Sequence, residues 1–134
     1  MNPAAGPDRV LAATGVVAIH QRLGAAILIL GGVGAVVAVA GISRRRVSPT
    51  LRAYLRLTSL VIAVQAALGI ALVIRGYRAH ESLHFIYGPA VLLALPVAQF
   101  IGGRSDERRE AIALFAGALA VFLLAIRAVA TGGA

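Results

Sequence analysis

Three histidines are the residues with the clearest capacity for chemistry in this sequence: His20, His80 and His84. His80, Glu81 and His84 form the pattern H-E-x-x-H, in which two histidines one helical turn apart bind zinc and the glutamate activates a bound water. The chain has no cysteine, which excludes thiolate zinc sites, iron–sulfur clusters and covalent haem attachment through C-x-x-C-H. The histidines therefore indicate a zinc site, a haem site, or side chains without a cofactor.

A second pattern links two of the histidines. The stretches "HQRLG" and "HFIYG" both read H-x-x-x-G, so Gly24 follows His20, and Gly88 follows His84, by one helical turn on the same face. A glycine at that position leaves room for the edge of a flat macrocycle. Since a b-type haem is held by imidazoles from facing helices, the repeated pattern predicts His20 and His84 as the two ligands of one haem b iron.

The composition places these residues in a membrane. The chain has 134 residues, of which 60% are hydrophobic, and its mean hydropathy is +0.90. A soluble domain of this length needs far more polar surface, so most of the chain is expected to face the lipid bilayer or other helices. The net charge of +8 comes from arginines that fall between apolar blocks. Membrane topology explains that distribution, and we expect no nucleic-acid partner.

Four apolar segments have at least about the length that a helix needs to cross a bilayer, roughly 17–25 residues. They cover about residues 10–42, 57–74, 83–101 and 111–129, and arginine, glycine or proline bounds each of them. We therefore predict an all-α integral membrane protein, with residues 1–134 forming one four-helix up-down bundle.

The arginines predict the orientation of this bundle, because cytoplasmic loops carry an excess of basic residues. Eight flank the loops between spans one and two and between spans three and four: Arg44, Arg45, Arg46, Arg52, Arg56, Arg104, Arg108 and Arg109. Five lie on the other side: Arg9, Arg22, Arg75, Arg78 and Arg127. This bias predicts a multi-pass protein of the inner (plasma) membrane with both termini outside, and it places all three histidines at the outer boundary.

That topology weakens the zinc hypothesis. A zinc protease needs a third ligand, but the acids that follow the motif, Asp106, Glu107 and Glu110, are predicted on the opposite side of the membrane. The motif also straddles the start of a predicted helix. A membrane metalloprotease is thus the least favoured of the three functions that we consider, after a haem protein and a cofactor-free accessory subunit.

The same topology favours the haem. Spans one and three are diagonal in an up-down bundle, and with adjacent axes about 8–10 Å apart the diagonal is roughly 13 Å, near what two imidazoles and an iron require. Three arginines at that boundary, Arg22, Arg75 and Arg78, are the expected partners of haem propionates.

Two polar residues near this site have simpler expected roles. His80 is expected to be an exposed interfacial side chain, although it replaces His84 as the ligand if the helix begins a turn earlier. Gln65 lies inside span two with Gly69 one turn on, where an interhelical hydrogen bond is the expected role and a cofactor contact the alternative.

The stretches "IHQRLG" and "QAALGIALVIRG", followed by a histidine that opens the next helix, resemble one four-helix half of the haem A synthase family. The resemblance covers roughly residues 18–100. It implies a bundle with one haem pocket, His20 and His84 as the pair, and the Gln65/Gly69 segment as the intervening helix. This chain has only one bundle and no extracellular cysteine pair, and the family's oxidation needs two haem sites, so synthase activity is not expected.

The sequence thus predicts a small b-type haem protein for electron transfer, a subunit of a larger respiratory or photosynthetic complex. Between an enzyme and a protein without catalytic activity of its own, the sequence favours the second. The alternative is a cofactor-free accessory subunit whose glycine-rich faces pack against other membrane subunits and stabilise them.

Overall fold

A computed structural model describes the backbone of residues 7–132 and the side chains of residues 14–132, and four α-helices account for most of this part of the chain. They are α1 (Pro7–Arg44), α2 (Pro49–Ile74), α3 (His84–Gly102) and α4 (Glu107–Gly132). All four are long and apolar enough to cross a bilayer. The expected all-α fold is confirmed: four long apolar helices, compatible with a four-helix membrane bundle, make this a multi-pass membrane protein.

Local sequence fixes where α2 and α4 begin. Ser48 precedes α2 with an extended backbone, its hydroxyl accepts a hydrogen bond of 3.1 Å from the Leu51 amide, and Pro49 occupies the first turn. Asp106 has the same role for α4, because its carboxylate accepts a bond of 3.0 Å from the Arg109 amide. The four predicted spans overlap these helices, which extend further at most of their ends.

The connections that follow α1 and α2 each contain a residue with positive φ. Arg45 has φ of 50° directly after α1, and Gly76 has φ of 90° two residues after α2. Glycine adopts that conformation without the steric cost that a Cβ imposes. Gly76 therefore marks the point where the chain leaves the axis of α2 and starts toward α3.

The helices do not pack equally. Helix α4 packs closely against both α1 and α3, whereas α2 touches the same two helices more loosely. Small residues make the close approaches possible: a Cβ added to Gly31 of α1 would lie 2.8 Å from Val121 Cγ1 of α4. The tight side of the bundle is therefore built around α4, and the side formed by α2 is more open.

The core is narrow, and most large apolar side chains point outward. Leu55, Leu95 and Val121 are fully buried, whereas Val36 is 73% exposed and Ile74 is 80% exposed. In water such a surface would be untenable for a monomer, but in a bilayer it meets hydrocarbon. The exposed apolar faces are therefore the surface that contacts lipid.

Candidate functional site

His20 of α1 and His84, the first residue of α3, face each other. Their ring centroids are 6.2 Å apart and their planes are inclined by 69°. Helices α1 and α3 each pack mainly against α2 and α4 and not closely against each other. The two histidines that the repeated pattern singled out are thus brought together across the bundle.

A cavity of about 670 Å³ opens beside this pair, and both imidazoles line it. Cofactor and ligand pockets typically measure about 300–1,000 Å³ and have mostly apolar walls. The walls here come from all four helices, and the apolar ones include Val17, Ile27, Ile62, Leu72, Phe85, Val91 and Leu92. The cavity therefore has the size and the mostly apolar lining that are typical of ligand pockets.

A backbone carbonyl of α4 orients His84. Its Nδ1 lies 2.9 Å from the carbonyl oxygen of Ala128, and because a carbonyl only accepts, Nδ1 must carry the proton and donate. In the neutral ring Nε2 is then unprotonated and has a lone pair for a metal. Gly132, one turn further along α4, leaves room for the ring, since a Cβ there would lie 3.1 Å from His84 Cε1.

His20 is positioned mainly by α2. The side-chain amide of Gln65 donates a hydrogen bond of 2.9 Å to the backbone carbonyl of His20 and lies 3.5 Å from its Nε2. A Cβ on Gly69, one turn further, would lie 3.1 Å from His20 Cε1. The buried Nδ1 of His20 has no hydrogen-bond partner among the described residues, nor does the buried Oε1 of Gln65. This half of the site therefore holds polar atoms that a bound group could satisfy.

The two glycines of the H-x-x-x-G pattern both line the cavity, but they differ in the space they leave. A Cβ on Gly88 would meet nothing within 4 Å, so this glycine borders open volume. A Cβ on Gly24 would lie 3.3 Å from Gln65 Nε2 and 3.5 Å from Val129. Gly24 therefore permits a helix contact, whereas Gly88 gives clearance inside the cavity.

Of the three arginines expected to meet propionates, one lines the cavity. Arg78 does so, and its Nη1 donates bonds of 3.1 Å to the carbonyls of Val73 and Tyr77. Arg22 is exposed and lies outside the lining, because two residues along a helix turn the side chain by about 200° away from His20. Arg75 is exposed at the end of α2 and also lies outside the lining.

The H-E-x-x-H pattern is not presented on one helix. His80 is exposed in the connection before α3, whereas His84 is the first residue of that helix. The connection runs along the end of α4, where the amide of Glu81 donates a bond of 3.0 Å to the Thr131 carbonyl. No three His, Cys, Asp or Glu side chains among the described residues are grouped so that they could hold a metal ion. The helical geometry of a zinc protease motif is therefore absent here.

Sequence reasoning missed the contribution of α4. Ala128 orients an imidazole through its carbonyl, and Gly132 contributes only the absence of a side chain, so neither has a recognisable residue type. Their spacing of four residues on one helix face was the available signal, but it becomes meaningful only once α4 is known to contact His84.

Comparisons with protein-family models, with curated proteins and with solved structures found no match to this chain.

Proposed function

We propose that this chain binds one b-type haem between His20 and His84 and transfers electrons, as a subunit of a larger respiratory or photosynthetic membrane complex. The resemblance of residues 18–100 to half of the haem A synthase family supports the same pair of ligands. The haem supplies the one-electron redox chemistry when it is bound.

The distance between the two imidazoles is the observation that carries this proposal. A metal–imidazole bond is about 2 Å long, and a five-membered ring with bonds of about 1.33 Å places its centroid roughly 1.1 Å behind the nitrogen. Two imidazoles on opposite sides of one metal ion therefore have centroids about 6.3 Å apart, and the observed separation is 6.2 Å. The 69° inclination is compatible with this arrangement, because both ring planes contain the metal–nitrogen axis whatever their rotation about it.

Neighbouring residues orient the two histidines that we propose as ligands. The Ala128 carbonyl fixes the tautomer of His84 that leaves Nε2 as the donor, and Gln65 anchors the backbone of His20. The apolar walls exclude water, and a site of low polarity tunes the redox potential of a bound cofactor. Arg78, at the rim, is the cation placed to pair with a propionate.

We also propose how the bundle is oriented in the membrane. Arg52 and Glu110 are bonded to each other, so the arginine-rich connections before α2 and before α4 meet at one end of the bundle. We infer an up-down bundle whose arginine-rich end faces the cytoplasm, with the haem near the outer face of the inner (plasma) membrane and both termini outside. The side chain of Arg9, one of the five opposing arginines, lies outside the described residues.

The decisive experiment is a visible spectrum of the purified protein, oxidised and then reduced with dithionite, after expression with ample haem. We expect a Soret band and a reduced α band in the wild type, and loss of both in His20→Ala and in His84→Ala. His80→Ala is the matched control, because His80 is exposed and outside the cavity lining, and it should retain the spectrum. A wild-type protein without haem, or a His20→Ala variant with an unchanged spectrum, would refute the assignment.

A second variant separates the cavity from the ligands. Gly88→Leu introduces a side chain into open volume, since a Cβ there meets nothing within 4 Å, so the helix should fold while the cavity is filled. We expect the Soret band to disappear and the unfolding midpoint of the haem-free protein to stay unchanged. Full haem occupancy in this variant would show that haem does not use this cavity.

The accessory-subunit alternative relied on the glycine-rich face of α1. Two of those glycines are used inside the bundle: a Cβ on Gly31 would contact Val121, and a Cβ on Gly34 would lie 2.9 Å from Leu55 Cδ2. These close approaches join α1 to α4 and to α2, so neither glycine is available to an external partner. If the wild-type protein contained no haem, the accessory subunit would nevertheless become the favoured function.

A further inference from the structure

A second cavity lies at the arginine-rich end of the bundle, far from the histidines. Its volume is about 310 Å³, and residues of α2, α3 and α4 line it together with Gly103. The buried side chains of Leu55 and Leu114, which are 0% and 2% exposed, form its apolar floor. The polar lining residues are Arg52, Arg56, Gln99 and Glu110.

Of the two arginines that line this cavity, one forms an ion pair with the glutamate and the other does not. Arg52 donates two hydrogen bonds to Glu110, from Nε to Oε1 at 2.7 Å and from Nη2 to Oε2 at 2.6 Å, so both carboxylate oxygens are occupied. Arg56 lies within one helical turn of Arg52, but no carboxylate lies within ion-pair distance of it in the described part of the chain. Two arginines and one glutamate leave a net charge of +1 on the lining, carried by Arg56.

The position of the cavity selects the kind of anion that reaches it. A helix long enough to cross the hydrocarbon core ends among lipid headgroups, and the cavity lies where α2 and α4 begin and α3 ends. The exposed arginines Arg45, Arg46 and Arg104 of the two adjoining connections, and Arg108 in the first turn of α4, add positive potential around its mouth. Phosphate is the anionic group present at that depth, and basic pockets between transmembrane helices bind phosphate-bearing headgroups.

From these observations we infer that the cavity between α2, α3 and α4 is a binding site for a phosphate group, which Arg56 contacts directly. The planar guanidinium offers paired donors that match two phosphate oxygens. Glu110 holds the neighbouring Arg52 in place, and the opposite charges of these two residues offset each other, so Arg56 supplies the excess positive charge of the lining. A lipid headgroup and free phosphate share this chemistry, and binding measurements can tell them apart. The inference is independent of the haem.

The test uses the whole chain, purified in a nonionic maltoside detergent in phosphate-free buffer at fixed ionic strength. Isothermal titration calorimetry would measure binding of three probes: dihexanoyl phosphatidylglycerol, dihexanoyl phosphatidylcholine and inorganic phosphate. We expect binding of the phosphatidylglycerol to weaken about tenfold in Arg56→Gln, the loss of one charge-assisted contact. Arg56→Lys keeps the charge but loses the paired donors, so it should recover part of that affinity.

Arg108→Gln is the matched control, since Arg108 is exposed at the same end of the bundle, carries the same charge and does not line the cavity. Wild-type affinity in this variant, with the loss confined to Arg56→Gln, supports a defined site. Equal losses in both variants would mean that only diffuse positive charge attracts the anion, and would overturn the inference. An unchanged affinity in Arg56→Gln would overturn it as well.

The three probes identify the source of the phosphate. Arg56-dependent binding of the phosphatidylglycerol alone supports an anionic lipid as the ligand. Arg56-dependent binding of inorganic phosphate with similar affinity supports the site with free phosphate as the ligand. Binding of all three probes without any dependence on Arg56 would overturn the inference.

Discussion

The ring centroids of His20 and His84 are 6.2 Å apart although α1 and α3 do not pack closely on one another along their described residues. Each ring is positioned by a different helix, since α2 contacts His20 through Gln65 and α4 contacts His84 through Ala128. The separation of the rings therefore depends on all four helices at once. Changes in α2 or α4 that touch no proposed ligand should consequently affect the site.

Gly69 provides the first such prediction. Replacing it with valine adds a Cβ 3.1 Å from His20 Cε1, and the branched methyl groups reach further, so the ring must move out of line with His84. We expect Gly69→Val to lose most of its haem, measured as the ratio of Soret to protein absorbance. Gly15→Val is the control, because a Cβ at Gly15 meets nothing within 4 Å and the change in helix propensity is the same. Equal occupancy in the two variants would contradict this role for Gly69.

The α3–α4 contact provides the second prediction. A Cβ on Gly117 would overlap the Cβ of Ala98 and lie 3.3 Å from the Ala94 carbonyl oxygen. These atoms belong to the backbone or are bonded directly to it, so no side-chain rotation can relieve the overlap, and α3 and α4 must move apart. We expect Gly117→Ala to lower the free energy of unfolding by about 1–3 kcal/mol, measured by titration with sodium dodecyl sulfate in mixed micelles.

The control for Gly117→Ala is Gly15→Ala, which removes the same helix-destabilising residue at an exposed position. Alanine there should leave the free energy of unfolding unchanged or raise it by up to about 1 kcal/mol. If both variants were equally stable, the close approach of α3 and α4 at Gly117 would be wrong.

The third prediction concerns the ion pair between α2 and α4. Glu110→Gln removes the carboxylate that accepts two bonds from Arg52, and should lower the free energy of unfolding by about 1–2 kcal/mol, since Arg52 keeps access to solvent. A double-mutant cycle with Arg52→Gln isolates the energy of the pair. Disruption of the exposed Asp106–Arg109 pair by Asp106→Asn should cost no more than about 0.5 kcal/mol. A coupling energy of zero between Arg52 and Glu110 would contradict the prediction.

The sequence predicted part of this arrangement because some features depend on residue type and periodicity. Four apolar segments of spanning length are sufficient to predict four long helices, and the repeated H-x-x-x-G pattern is sufficient to select His20 and His84 over His80. Apolar length and helical period are local properties, so they can be recognised without knowing how the helices pack.

Other features depend on packing. Arg22 was expected to pair with a propionate because it lies at the same end of the span as His20. It is two residues further along the helix, however, a rotation of about 200°, and it does not line the cavity. Ala128 was missed because every residue has a carbonyl, and only the approach of α4 makes this one an acceptor for His84. The position of a residue along a membrane span can be predicted from the sequence. The direction in which its side chain faces relative to a neighbouring helix requires the packed structure.

The contribution of α4 also sets an order of events during biosynthesis. Chains emerge from the ribosome with the N-terminal end first, so α1, α2 and α3 enter the membrane before α4 exists. Until α4 arrives, His84 has no Ala128 carbonyl to orient it, and the closest helix contacts of the bundle are absent. Both histidines are therefore translated well before they can form a pair, and we expect a nascent chain stalled after α3 not to retain the proposed haem.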